Sequence, residues 1–157
     1  MTLQEYISSI HDKKIAVIGM GVSNMPLIRL LLASGCKVTV CDKRDLATIG
    51  ADAFALLGAG AVLRLGDDYL ENLDFDVIFR TPGLMPFDEH LEYARKNGAV
   101  VTSEMEVFFQ VCPCRIIAIT GSDGKTTTST ITSLLLKKEG YNPQKSVIVI
   151  SLKVNIT

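Results

Sequence analysis

Ile116-Ile117-Ala118-Ile119-Thr120-Gly121-Ser122-Asp123-Gly124-Lys125-Thr126-Thr127-Thr128 reads as an apolar run, a glycine-flanked turn, and Gly-Lys-Thr-Thr ahead of helical spacing. That order predicts a strand, a phosphate loop and a helix start. Gly121 and Gly124 allow the backbone to turn its N–H groups inward, where the positive end of the following helix adds to their pull on phosphate oxygens. Ser122 and Asp123 complete the loop. Lys125 supplies a flexible point charge for the terminal phosphates, and the Thr126 hydroxyl is a ligand for Mg²⁺. The general pattern G-x-x-x-x-G-K-[ST] would place glycine at Ile119, so this loop is a shorter form. A bare Gly-Lys-Thr also suits a turn with a helix cap; the apolar run before it and the helical pattern after it favour the phosphate loop.

Upstream of this strand, Pro113 breaks a helical pattern, and a domain junction is expected near residue 111. That helical segment opens with Ser103-Glu104-Met105-Glu106, a capping box with Ser103 at the N-cap, and Glu104 and Glu106 are read as capping residues. Met105, Phe108, Phe109 and Cys112 would form its apolar face. Past the loop, Thr127, Ile131, Leu134 and Leu135 share one helical face, with Gly140 as a stop. Val147-Ile148-Val149-Ile150 is a possible last strand.

The N-terminal stretch alternates in the same manner. Leu3 to Ile10 suggests a leading helix. Lys14 to Ile18 is an apolar strand running into Gly19-Met20-Gly21-Val22-Ser23-Asn24, and Pro26, Leu27, Leu30 and Leu31 then keep helical spacing. Lys37 to Cys41 forms a second strand closed by Asp42. A β-α-β unit with an acidic residue about 20 positions beyond its glycines is a dinucleotide-type fingerprint, although Asn24 replaces the third glycine. Further on, 48–57 reads as a helix, 62–65 as a strand, 69–73 as a helical turn, 77–79 as a buried strand entering Thr81-Pro82-Gly83, 89–97 as a helix and 99–101 as a strand. The alternation gives an α/β fold with parallel strands, and ligands of such sheets bind at the carboxyl edge.

Composition agrees with an ordinary globular chain: 157 residues, 48% hydrophobic, 21% charged, net charge −1. There is no basic run to attract nucleic acid or an anionic membrane, no signal-peptide pattern before His11, and no run approaching the roughly 20 apolar residues of a membrane span. Cys112-Pro113-Cys114 lacks a second pair at metal-site spacing, so the four cysteines read as reduced thiols of a cytoplasmic protein.

Two nucleotide-type turns about 100 residues apart, with Thr81-Pro82-Gly83 and Ser103-Glu104-Met105-Glu106 between them, resemble the Mur ligases of bacterial cell-wall synthesis. The likeness covers residues 1 to 141, and the short phosphate loop is the form this family uses. It implies a Rossmann-like UDP-substrate-binding domain over 1–111 and the truncated beginning of a P-loop ATPase domain over 112–157. Gly21, Val22 and Ser23 would meet the diphosphate, Asp42, Lys43 and Arg44 the uracil, and Thr81 and Gly83 the same ligand. Gly121, Ser122, Asp123, Gly124, Lys125, Thr126 and Thr127 would bind ATP, with Lys125 catalytic and Mg²⁺ on Thr126. Many members carry asparagine where Asp123 stands, and a carboxylate beside triphosphate is unfavourable unless it faces the metal or its water. The reaction implied is ATP-dependent amide formation through an acyl phosphate, joining D-glutamate to UDP-N-acetylmuramoyl-L-alanine in a monomeric cytoplasmic enzyme. Beyond Tyr141 the likeness ends, before the family's metal-binding glutamate, carbamylated lysine and third domain. The chain therefore reads as truncated or frame-shifted, with no ligation expected from it alone and apolar surface exposed in a poorly folded second unit. The first fingerprint with Asp42 also suits an NAD(P)-dependent Rossmann oxidoreductase or a nucleotide-binding module, which would leave Gly-Lys-Thr-Thr unexplained.

Overall fold

A computed structural model describes residues 1–141 and, for 147–152, the course of the backbone. The chain divides into two compact units, Met1–Val111 and Cys112–Thr157.

The first unit is a five-stranded parallel sheet of β1 (Ile15–Ile18), β2 (Val38–Asp42), β3 (Val62–Leu65), β4 (Val77–Phe79) and β5 (Val100–Thr102), in the order β3-β2-β1-β4-β5. The helices are α1 (Leu3–Ile10), α2 (Asn24–Ala33), α3 (Leu46–Ile49), α4 (Ala51–Gly58), α5 (Glu89–Lys96) and α6 (Glu104–Val111). Every residue of β1 and β4 is buried, as expected for strands covered on both faces. The period of two then sorts the side chains. Ile15, Val17, Val38, Val40, Val77 and Phe79 enter one cluster with Ile7, Ile28, Leu31, Leu56 and Val107. Ala16, Ile18, Cys41 and Ile78 point the other way, onto Leu73 and onto Leu91 and Ala94 of α5.

Local signals explain most of the boundaries. Thr2 and Glu5 make both arms of a capping box at α1, Glu5 N–H to Thr2 Oγ1 at 3.2 Å and Thr2 N–H to Glu5 Oε2 at 2.7 Å. Where one helix was expected over 48–57 there are two, because Gly50 takes φ +64° and separates α3 from α4. In α6 the expected apolar face is not the buried one: Val107 is buried, while Met105 and Phe109 are exposed. Ser103 does cap this helix, Glu106 N–H donating to its Oγ at 3.2 Å, but the Glu106 carboxylate turns elsewhere, as described below.

The second unit is β6 (Arg115–Thr120), α7 (Lys125–Lys138) and β7 (Val147–Leu152), a β-α-β unit whose strands pair in parallel from Arg115↔Val147 to Thr120↔Leu152. The possible strand at 147–150 is present as part of β7 and pairs with one edge of β6, as its β-branched run favours. No residue of β6 or α7 is fully buried. Ile131, Leu134 and Leu135 are 52%, 61% and 59% exposed, and the half-buried positions of α7 are Lys125, Ser129, Thr132, Ser133 and Leu136. Among the described residues no helix is long and apolar enough to cross a membrane.

Candidate nucleotide-binding site

The order β3-β2-β1-β4-β5 puts a topological switch point between β1 and β4, and the two loops that leave their carboxyl ends meet there. Gly19 takes φ +90°, its N–H donates to Cys41 O at 2.7 Å, and a Cβ placed on it would stand 3.1 Å from Thr81 Cβ. Glycine is therefore required twice, by backbone conformation and by the neighbouring threonine. Gly21 is different. A Cβ there would meet nothing within 4 Å, so the space it fronts is open.

Beyond it the chain enters α2, where Asn24 and Met25 N–H both donate to Gly21 O at 3.1 Å. Among the described residues the N–H groups of Gly21, Val22 and Ser23 have no acceptor, Val22 is 95% exposed, and the Ser23 hydroxyl makes no capping bond. Three free donors at the positive end of a ten-residue helix are an arrangement that suits an anion.

Asp42, at the end of β2, is 6% exposed, and both of its oxygens are engaged. Oδ2 accepts from Met20 N–H at 2.7 Å and from the Arg44 guanidinium at 2.9 Å; Oδ1 accepts from Arg44 N–H and Nε, each at 2.9 Å. Burial pushes the carboxyl pKa up, but the donors from Arg44 and Met20 outweigh it and hold the group below the usual carboxylate range. Arg44 also donates to Met20 O at 3.2 Å, so the pair ties the second residue of the glycine turn to β2. Lys43 is exposed beside them and makes no hydrogen bond or ion pair among the described residues.

In the sequence Asn24 stands where the fingerprint has its third glycine, which says nothing of its own role. Its side chain is 2% exposed, and Nδ2 donates to Ile18 O at 2.8 Å and Gly19 O at 3.1 Å, which fastens the start of α2 to the end of β1. Its Oδ1 has no partner. An amide side chain three residues past Gly21, in the stretch that joins an apolar strand to an apolar helix, is the signal in the sequence, because a polar side chain buried there must find backbone partners.

On the other side of the switch point, Thr81-Pro82-Gly83 forms a turn closed by Leu84 N–H to Thr81 O at 3.1 Å. Gly83 is exposed, and a Cβ on it would touch nothing within 4 Å. Glu106 reaches this turn indirectly: its carboxylate meets Arg80 at 3.3 Å and accepts from Thr102 Oγ1 at 3.0 Å. A groove of about 520 Å³ lined by Lys14, Leu32, Cys36, Lys37, Val38 and Phe75 lies at the opposite, amino-terminal edge of the sheet.

In the second unit the loop between β6 and α7 holds Gly121, Ser122, Asp123 and Gly124, all exposed. Gly124 is left-handed, at φ 73° and ψ −1°, and stands at the N-cap of α7. Lys125 Nζ folds back to donate to Gly121 O at 2.6 Å and Ser122 O at 2.8 Å. The first helical bond is Thr128 N–H to Gly124 O, so the N–H groups of Lys125, Thr126 and Thr127 remain available among the described residues. The hydroxyls of Thr126 and Thr127 are exposed and likewise unengaged, whereas Ser129 and Thr130 bond back to the carbonyls four residues earlier. Open amides, a charge held against the loop and unobstructed space at Gly124 fit a phosphate group. Among the described residues no cluster of three or more His, Cys, Asp or Glu side chains is placed to hold a metal.

The first unit thus has a Rossmann-like α/β fold, and the solved structure of a UDP-N-acetylmuramate-alanine ligase from Thermotoga maritima shares the fold of this chain, with TM-score 0.50 and 18% identity over 90% of this chain and 37% of that one. No protein-family model matches the chain. Curated relatives do, and they show this chain to be homologous to part of the Mur ligases. The UDP-N-acetylmuramoylalanine--D-glutamate ligase of Clostridium novyi (strain NT) is 45% identical over 141 residues, 89% of this chain and 31% of the relative. That of Clostridium botulinum (strain Okra / Type B1) is 48% identical over 130 residues, 82% of this chain and 28% of the relative. The chain spans about three tenths of the length of the curated relatives it matches.

Proposed function

We propose that the first unit is the UDP-substrate-binding domain, and the second the beginning of the ATP-binding domain, of a ligase that adds D-glutamate to UDP-N-acetylmuramoyl-L-alanine. Relatives at 45–48% identity carry this activity in their names, and the two nucleotide-type turns supply the matching chemistry. In this reading the free amides of Gly21, Val22 and Ser23 receive the diphosphate. Arg44 and Lys43 present donors beside it for the pyrimidine, with Asp42 holding Arg44 in place. Thr81 and Gly83 border the same ligand across the switch point.

In the second unit the amides of the Gly121–Gly124 loop and of Lys125, Thr126 and Thr127 would hold the phosphates of ATP, and the Thr126 hydroxyl would contribute one ligand to Mg²⁺. When bound, ATP supplies the phosphoryl group that activates the substrate carboxylate as an acyl phosphate. The chain's own contribution is orientation and positive charge: Lys125 would exchange its bonds to Gly121 O and Ser122 O for phosphate oxygens. Binding of the two nucleotides is the behaviour expected of these 157 residues.

The observation that carries this reading over an NAD-dependent oxidoreductase is the state of Asp42. In an NAD-binding fold a carboxylate at this point accepts from a ribose diol, and here both oxygens are filled by Arg44 and Met20. Calorimetric titration of the whole chain with UDP and with NAD⁺ tests it. Heat from UDP and none from NAD⁺ is expected; the reverse would overturn the assignment.

A further inference from the structure

Glu106 was read from the sequence as half of a capping box, yet its carboxylate does not return to the helix start. Instead it bridges two elements at the carboxyl edge of the sheet. One oxygen meets Arg80 Nη2 at 3.3 Å, and the other accepts from Thr102 Oγ1 at 3.0 Å. Arg80 is the residue between β4 and Thr81-Pro82-Gly83, and its side chain is only 17% exposed. Its N–H donates to Thr102 O at 2.8 Å, and its Nη1 lies 3.5 Å from Leu84 O, at the far end of the turn. The guanidinium therefore sits inside the turn it opens, touching the carbonyl at its other end, while Glu106 holds the guanidinium from α6.

We propose that Arg80 and Glu106 are positioning residues for the nucleotide seat, a brace that sets Thr81 against Gly19. The contact they set is tight: a Cβ on Gly19 would stand 3.1 Å from Thr81 Cβ, so a small shift of the turn opens or blocks the space above the glycine loop. Neither residue needs to touch a ligand. A planar guanidinium suits the task because it can bond a carboxylate on one edge and a carbonyl on another at the same time, which an ammonium cannot do in fixed geometry. The half-exposed Glu106 contributes little to stability as a surface ion pair; its effect falls on the geometry of one turn. This inference rests on the first unit being the UDP site.

The test uses the whole chain, with Arg80→Met, which keeps the apolar stem, Glu106→Gln, which keeps the shape, and the double variant. UDP affinity by calorimetry and amide hydrogen exchange are read on each. The expected result is UDP binding weakened about tenfold in Arg80→Met and severalfold in Glu106→Gln, with the double variant no worse than Arg80→Met. Exchange should quicken at Leu84 and not in β1 or β2, with Arg80→Lys recovering only part of the affinity. Variants that bind UDP as the unaltered chain does, or losses that add in the double variant, overturn the brace while leaving the UDP assignment standing. Exchange quickened throughout β1, β2 and β4 assigns the pair to general stability and also overturns it. Absence of UDP binding by the unaltered chain overturns the functional reading itself, and the brace with it.

Discussion

The two units carry the same local device, a strand delivering a glycine turn to a helix N-terminus, on very different foundations. Around Gly19 the device stands on a five-stranded sheet packed on both faces, and β1 leading into it is buried throughout. Around Gly124 it stands on two strands and one helix, with no residue of β6 or α7 fully buried. The comparison separates what a motif needs locally from what it needs globally. Glycines and a helix start can be written in a dozen residues, but holding donors still against a ligand requires a core to fix the strand beneath them.

The largest expected effect probes those foundations. Phe79→Ala removes a fully buried ring beneath the first turn and should destabilise the first unit by about 3–5 kcal/mol. Leu135→Ala in the second, at a position 59% exposed, should cost no more than about 0.5 kcal/mol. Chemical denaturation followed by circular dichroism gives both numbers, and equal costs would erase the distinction.

The glycines sharpen it. Gly19→Ala incurs both the positive-φ penalty and the contact with Thr81, at least about 2 kcal/mol together, whereas Gly124→Ala incurs only the backbone term, about 1 kcal/mol. Thermal melts of the two variants check the order.

Asp42→Asn comes next. It weakens the four-donor arrangement that ties Met20 and Arg44 to β2, for about 1–2 kcal/mol at neutral pH. The sign of its pH dependence follows from the lowered pKa in the fold. The carboxylate's contribution is complete above the unfolded value of about 3.9 and is lost as pH falls through the lower folded value. The gap in melting temperature between the native chain and the variant should therefore narrow on acidification below about pH 4 and stay constant from pH 5 to 8. A gap that widens in acid would contradict the assignment of the ionised form.

The smallest effect on stability is expected for Lys125→Ala. Its amine bonds only exposed loop carbonyls, and the loss should stay within about 0.5 kcal/mol, while binding of Mg²⁺-ATP, measured by calorimetry, should disappear.

Much of this was legible in the residues. Apolar runs ending in Gly19, Asp42 and Thr81 mark strand ends, because a parallel strand buried on both faces must be apolar until it reaches the edge where the chain turns, and the β-branched run before Gly121 marks another. The turns at 19–23, 81–83 and 121–127 were therefore visible from local chemistry alone. What stayed hidden were the long-range partners. That Asp42 reaches Met20, that Asn24 staples α2 to β1, and that Glu106 serves Arg80 depend on which strands become neighbours, and no period in the sequence carries that information. The apolar face of α6 was misread for a related reason: Met105 and Phe109 are more hydrophobic than their surroundings require, and the position of the sheet selected Val107. Gly50 split a predicted helix because positive φ is a backbone choice that apolar spacing does not register.

On the proposed function a uridine diphosphate belongs to the first glycine turn and not to the second, although both offer helix amides to phosphate. Amide hydrogen exchange of the whole chain with and without UDP tests it directly. The prediction is added protection at 19–24 and 81–84 with none at 121–127; protection confined to 121–127, or spread equally over both turns, would contradict it.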